Sequence, residues 1–292
     1  MVLDLRQFAQ VGAVSDWRAR VPGDHDPGMS TPDDDLVLLA ISDRIATVTL
    51  NRPEARNALS RALQARLRTV MADAEASDDA DVIILTGADP AFSAGLDLKE
   101  LGGGAPLNIG TGTAANPDLP KTPWARTTKP VIGAINGVAI TGGFELALQC
   151  DFLVASERAA FGDTHARVGV LPGWGLSVLL PQAVGYRRSL EMSMTGNFML
   201  ADEALAFGLV NHVVPHDQLM DTARQLASDI ARNNTPAIRT LLASYRAIHE
   251  MTVGQGLRHE TKVNREYMST FKASDLEARR DAIMQRGRGQ VS

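Results

Sequence analysis

Apolar positions follow two alternating spacings along most of this chain. Ile45 to Leu50 is short and β-branched and predicts a strand. After it, Leu63, Leu67, Val70, Met71 and Ala74 recur at intervals of three and four and predict one helix face, with Ser60 placed to cap it. Val82 to Leu85 predicts a second strand. Asp97 with Glu100 three residues on has the form of a capping box and predicts a helix start. Residues 102–129 are rich in Gly, Pro, Thr and Asn and predict a long loop, a type of segment that often carries function. Val131 to Ile135 predicts a strand ending at Gly137, followed by a Gly-rich turn and a helix through Glu145, Leu146 and Leu148. Phe152 to Ala155 predicts another strand.

Past Thr195 the spacing becomes mainly helical. A helix is expected over Ala201 to Phe207 and a strand from Gly208 to Val214. A further helix carries Leu219, Ala223, Leu226 and Ile230 on one face. Thr235-Pro236 then supplies a cap and a first-turn proline for the next helix. Strands alternating with helices predict an α/β core, and the tail predicts a helical appendage. The expected division is a loose leader over 1–34, a core over 35–195 and a mainly helical region over 196–292. The leader holds Pro22, Pro27, Pro32 and the acidic residues Asp24, Asp26, Asp33 and Asp34 with little apolar periodicity, and Met29 is an alternative start. No tandem repeat is evident.

Composition narrows the function classes. With 29 basic and 34 acidic residues the chain carries −5, which disfavours non-specific nucleic-acid binding. A hydrophobic content of 45% and a charged content of 22% are ordinary for a globular protein. The single cysteine, Cys150, excludes an internal disulfide framework and is expected in the core. Apolar runs are too short for a membrane span, and no secretory signal opens the chain. A cytoplasmic protein is the expectation. Phosphate-loop, H-E-x-x-H, G-x-S-x-G and G-x-G-x-x-G patterns are absent, and the six histidines show no metal-ligand spacing with carboxylates, so no metal site is expected.

Three segments stand out: NRPEARNALS at 51–60, AFSAGLDLKE at 91–100 and INGVAITGGFELALQCD at 135–151. With FGDTHARVGVLPGWG at 161–175 and TGNFMLADEALAFGLVNHVVP at 195–215, they closely resemble the enoyl-CoA hydratase/isomerase (crotonase) superfamily. The resemblance runs from about residue 36 to 250, with the motifs in order and at the expected spacing. It implies a crotonase-like α/β spiral of ββα turns, with a C-terminal helical region that mediates a homotrimer or a dimer of trimers. It also implies an acyl-CoA substrate and no cofactor beyond the CoA that arrives with it.

The chemistry such a site needs can be stated on its own. Reaction at Cα or Cβ of a thioester builds negative charge on the thioester oxygen, which two converging backbone N–H donors stabilise. Gly142 stands where a helix begins, so its N–H is free, and glycine lets a ligand approach closely. The resemblance makes Leu96, after Ala94-Gly95, the second donor. Glu145, three residues past Gly142, occupies a family acid/base position, although a glutamate there also complements a helix dipole. At the second acid/base position, where the family's hydratases carry glutamate, this chain has His165. A histidine there either moves a proton or shapes the pocket as a hydrogen-bonding group. Asp163, two residues earlier, either orients that ring or serves in its place.

For CoA the resemblance implies contacts from 54–58 and 94–99, with Arg56, Ala58, Ala94, Asp97 and Lys99 as the binding residues. Trp174 is expected as a pocket wall or packing residue. Tyr267 and Phe271 lie where family C-terminal helices cover a neighbouring site. The expected activity is reversible addition of water to a trans-2-enoyl-CoA. The alternatives are an enoyl-CoA isomerase or another crotonase reaction using one carboxylate, and a non-catalytic acyl-CoA binding protein.

Overall fold

A computed structural model describes residues 33–102, 121–277 and 279–290. Almost all of the expected leader, the alternative start at Met29 and residues 103–120 of the expected long loop lie outside these residues.

The chain builds a six-stranded and a four-stranded sheet. The first has the order β1 (Val37–Ser42), β2 (Ile45–Leu50), β3 (Val82–Gly87), β5 (Val131–Ile135), β7 (Phe152–Ser156) and β10 (His212–Val214). It is parallel except for the β1–β2 hairpin. The second has the order β4 (Ala91–Ser93), β6 (Val138–Ile140), β8 (Ala160–Gly162) and β9 (Met199–Leu200), with only the last pairing antiparallel. One step therefore recurs three times. A strand enters the large sheet, a short strand enters the small one, and a helix follows: α2 (Leu98–Gly102) after β3–β4, α3 (Gly142–Leu148) after β5–β6, and α4 (His165–Val168) after β7–β8. This is the expected ββα spiral.

Burial explains the strand patterns. All six residues of β3 and all five of β5 are buried, because parallel strands covered on both faces lack a polar side. The three-residue strands of the small sheet are too short to show a period, so the sequence pattern passes over them. Helix α1 (Arg61–Ala76) buries the predicted face Leu63, Leu67, Val70, Met71 and Ala74, and Ser60 Oγ accepts the Leu63 N–H at 3.2 Å. Helix α8 (Leu219–Ala231) covers the large sheet with Leu219, Ala223 and Ala227 against Ile45, Val82, Ile84, Ile132 and Val154. Leu226 and Ile230 flank that contact.

Several local expectations need correction. Asp97 opens α2 by accepting the Lys99 N–H at 2.9 Å, but Glu100 does not complete a capping box. Its carboxylate instead accepts the Arg61 N–H at 3.0 Å and so caps α1. The helix starting at Thr235 is capped by Asn234, whose side chain accepts the Ala237 N–H; Thr235 and Pro236 lie inside the first turn. Helix α7 (Ala201–Ala206) ends one residue before the expected Phe207. The strand expected from Gly208 forms only over His212–Val214, because Gly208 takes a φ of +78° while Leu209 and Val210 turn into the core. Two unpredicted helices, α5 (Leu176–Val184) and α6 (Tyr186–Thr195), follow the 161–175 stretch.

The region after residue 196 supplies one strand to each sheet before it becomes wholly helical over α8, α9 (Thr235–Ile248), α10 (Val253–Met268), α11 (Ala273–Glu277) and α12 (Arg280–Gln290). Arg246 of α9 meets Asp151 at 2.8 Å, and Asp151 in turn accepts the Val131 N–H at 2.8 Å, which fixes this helix to the large sheet. Among the described residues, no helix is long and apolar enough to cross a membrane.

Candidate active site

The site lies where the ββα steps place the loops after β2, β4, β6 and β8. Segments 54–59 and 94–97 are stitched together first. Ala94 N–H donates to Arg56 O at 2.9 Å, and Leu59 N–H to Gly95 O at 2.8 Å. Asn57, fully buried, holds this crossing from within. Its Nδ2 donates to the carbonyls of Ala88 and Ala91, and its Oδ1 accepts the Arg52 N–H. Arg56 and Asn57 both have φ above +50°, a conformation Asn tolerates better than most residues. Sequence reasoning missed Asn57; an Asn before a helix cap is the one signal it carries.

The same loop then packs onto the start of α3. Gly95 has a φ of +83°, and a Cβ there would lie 2.5 Å from Ile140 O. A Cβ on Gly143 would collide with the Ser93 carbonyl. A Cβ on Gly142 would lie 3.1 Å from the Leu59 side chain and 3.8 Å from that of Leu96. These glycines permit the close approach that brings the Leu96 and Gly142 backbones together. Among the described residues, neither amide is taken up by a turn or loop hydrogen bond. Thr141, just before Gly142, has φ 53° and ψ −115°. That is the first central position of a type II′ turn, where glycine dominates. A threonine held there stores about 1–3 kcal/mol of strain.

Glu145 follows one turn into α3 and is 2% exposed. Its Oε1 accepts the backbone N–H groups of Gly173 at 3.0 Å and Trp174 at 2.6 Å. No side-chain pattern announces such backbone donors. Trp174 itself is buried in the core, and its carbonyl accepts from Gln149 Nε2. The other oxygen of Glu145, Oε2, faces His165 Nε2 at 3.6 Å. His165, 3% exposed, opens α4, and its Nδ1 meets Asp163 Oδ1 at 2.6 Å. Asp163 also accepts the His165 backbone N–H at 3.2 Å.

The imidazole thus lies between two buried carboxylates. Burial opposes its charged form, but the hydrogen bond to Asp163 and the Glu145 carboxylate outweigh burial and push its pKa up to about 9. The ring is imidazolium at neutral pH, with a proton on each nitrogen. Burial would likewise raise the Asp163 pKa, but its hydrogen bond from His165 holds it below the ordinary carboxylate range. Position 165 therefore sets a protonated imidazole against the Glu145 side chain.

The residues expected at CoA fall into two groups. Arg56 and Lys99 are exposed, while Ala58 and Ala94 are half-buried beside them. Asp97 is buried and engaged: Arg52 Nη1 lies 2.6 Å from one oxygen and the Lys99 amide on the other, so it shapes the loop. Arg52, which sequence reasoning passed over, also donates to Ala58 O at 3.3 Å. Tyr267 donates to Asn234 Oδ1 at 2.7 Å and joins α10 to the start of α9. The Cys150 thiol packs against the core, and burial pushes its pKa upward. Among the described residues, no three His, Cys, Asp or Glu side chains gather as a metal-binding group.

Residues 40–280 match the family model described as enoyl-CoA hydratase/isomerase. A probable peroxisomal enoyl-CoA hydratase 1 from Arabidopsis thaliana is 36% identical over 247 residues, covering 84% of this chain and 91% of the relative. A carnitinyl-CoA dehydratase from Salmonella enteritidis is 38% identical over 237 residues, covering 79% and 88%. The crystal structure of an enoyl-CoA hydratase from Mycobacterium tuberculosis matches with a TM-score of 0.67 and 52% identity, covering 81% of this chain and all of that one.

Proposed function

The chain belongs to the enoyl-CoA hydratase/isomerase family, and we propose that it adds water reversibly across the double bond of a trans-2-enoyl-CoA. The observation that carries this is the buried pair of Glu145 Oε2 and His165 Nε2, 3.6 Å apart, with the His165 pKa pushed up to about 9. Hydration needs a proton acceptor and a proton donor side by side.

Amides of Leu96 and Gly142 receive the thioester oxygen. Glu145 takes a proton from water as the oxygen bonds to Cβ, and the π electrons move onto the thioester oxygen. His165 Nε2 then gives its proton to Cα, and the thioester carbonyl reforms. The two groups stand side by side, which suits delivery of both additions to the same face. Glu145 is left protonated and His165 neutral. Direct transfer between the adjacent partners restores the starting ion pair, and dehydration follows the same steps in reverse. Arg56 and Lys99 suit the phosphates of CoA as exposed cations on or next to the crossed 54–59 and 94–97 segments. The relatives' names, enoyl-CoA hydratase and carnitinyl-CoA dehydratase, describe water addition and loss on CoA thioesters. Exposed Leu241, Tyr245, Val253 and Leu257 on α9 and α10 suit association into a homotrimer or a dimer of trimers.

The test is loss of the conjugated-thioester absorbance of crotonyl-CoA and longer trans-2-enoyl-CoAs, with product mass. Wild type is expected to give a product heavier by one water, and Glu145→Gln to bind without turnover. A 3-enoyl-CoA shifted to the 2-enoyl form without water uptake would make the protein an isomerase instead. Tight binding with no turnover would make it a carrier.

A further inference from the structure

Thr141 and Thr164 meet at Oγ1–Oγ1 2.6 Å, across 23 residues of chain. Each directly precedes a site residue: Thr141 is the N-cap of α3, before Gly142, and Thr164 the N-cap of α4, before His165. Neither hydroxyl caps its own helix. Their mutual hydrogen bond thus joins the element holding one oxyanion amide to the element holding the acid.

The backbone makes this link consequential. Thr141 N–H donates to Gly162 O at 2.8 Å, where the β6–β8 pairing ends at Ile140 and Gly162. That bond fixes one side of Thr141. Its ψ of −115° sets the plane of the Thr141–Gly142 peptide and hence the direction of the Gly142 N–H. With φ at +53°, the residue relaxes toward commoner backbone conformations unless held, and any relaxation turns that N–H. On the helix side Thr141 O accepts the Glu145 N–H at 3.0 Å, and the hydroxyl pair holds the side chain. We infer that Thr141 and Thr164 are positioning residues. Through their shared hydrogen bond they aim the Gly142 amide and set its distance from the His165 proton donor. This rests on the oxyanion role proposed for Gly142.

The experiment uses Thr141→Val and Thr164→Val, which keep side-chain volume and lose the hydroxyl, and Thr141→Ser and Thr164→Ser, which keep it. Carbonyl polarisation is read from the 13C shift of a carbonyl-labelled, non-reactive saturated acyl-CoA bound to each folded full-length protein, beside kcat and KM for crotonyl-CoA. Either valine variant is expected to reduce the bound shift and to lower kcat about tenfold to a hundredfold with KM little changed. Both serine variants should recover most of each. Unchanged polarisation and kcat in both valine variants would overturn the inference. Equal loss in the valine and serine variants would also overturn it, by making the effect one of packing. Wild-type polarisation without water addition would refute the hydratase reading while leaving the positioning role measurable.

Discussion

His165 holds Asp163 at 2.6 Å through one ring nitrogen and faces Glu145 at 3.6 Å through the other. A proton lost from this ring leaves two buried carboxylates facing a neutral group. The arrangement thus keeps an acid charged inside the protein.

Removing either support should move that acid. Asp163→Asn removes the negative charge at the shorter contact and is expected to lower the His165 pKa, bringing the alkaline fall of kcat toward neutrality. His165→Ala should lower kcat by about a hundredfold or more, the scale of general acid catalysis. Profiles of kcat against pH for the three proteins check both.

The same pair sets a pH dependence of stability. The His165 pKa is raised from 6.5 to about 9, so the folded state binds the proton more tightly than the unfolded chain. The stabilisation is fully present below pH 6.5 and is lost as pH rises through about 9. Thermal melts should show the wild-type midpoint falling across that window more steeply than that of His165→Gln.

Gly95→Ala should separate loop geometry from chemistry. The new Cβ would lie 2.5 Å from Ile140 O at a φ of +83°. The loop must then move away from the end of β6, taking the Leu96 amide with it. Turnover should fall about a hundredfold, with stability lower by about 1–3 kcal/mol. Steady-state kinetics and urea unfolding measure the two.

The site's backbone side was only partly legible in sequence. Gly142 and Glu145 were expected because a Gly-rich turn and a carboxylate one turn later mark their positions, and Leu96 because the family resemblance implies it. The α1 face and its Ser60 cap were legible because local spacing alone determines them. The role of Glu100 was not, since its partner Arg61 lies 39 residues away. The amides of Gly173 and Trp174 at Glu145, and the Thr141–Thr164 link, have no residue-type signature. Position 165 was visible as a departure from glutamate, but its charge follows from two carboxylates that only the fold brings against it.

Lys129 illustrates a buried charge that serves the fold. It is 1% exposed, and its Nζ donates to Ala74 O at 2.8 Å and Ser77 O at 2.6 Å, at the end of α1. Lys129→Met should lower stability by about 1–3 kcal/mol through the carbonyls left unpaired. Turnover per folded molecule should stay at the wild-type level, as denaturant titration beside kinetics would show.

Arg56→Ala should raise KM for an enoyl-CoA several-fold at unchanged kcat, the pattern of lost uniform binding. The same variant should not change KM for an enoyl-pantetheine thioester, which lacks the nucleotide phosphates.

The most direct test of the central claim is a 15N NMR titration of His165, assigned by comparison with His165→Gln and run beside kcat for crotonyl-CoA hydration. The account predicts an imidazolium at pH 7, a midpoint near 9, and a fall in kcat with that midpoint. A ring already neutral at pH 7 in a protein that hydrates crotonyl-CoA would contradict it and return the acid's role to Glu145.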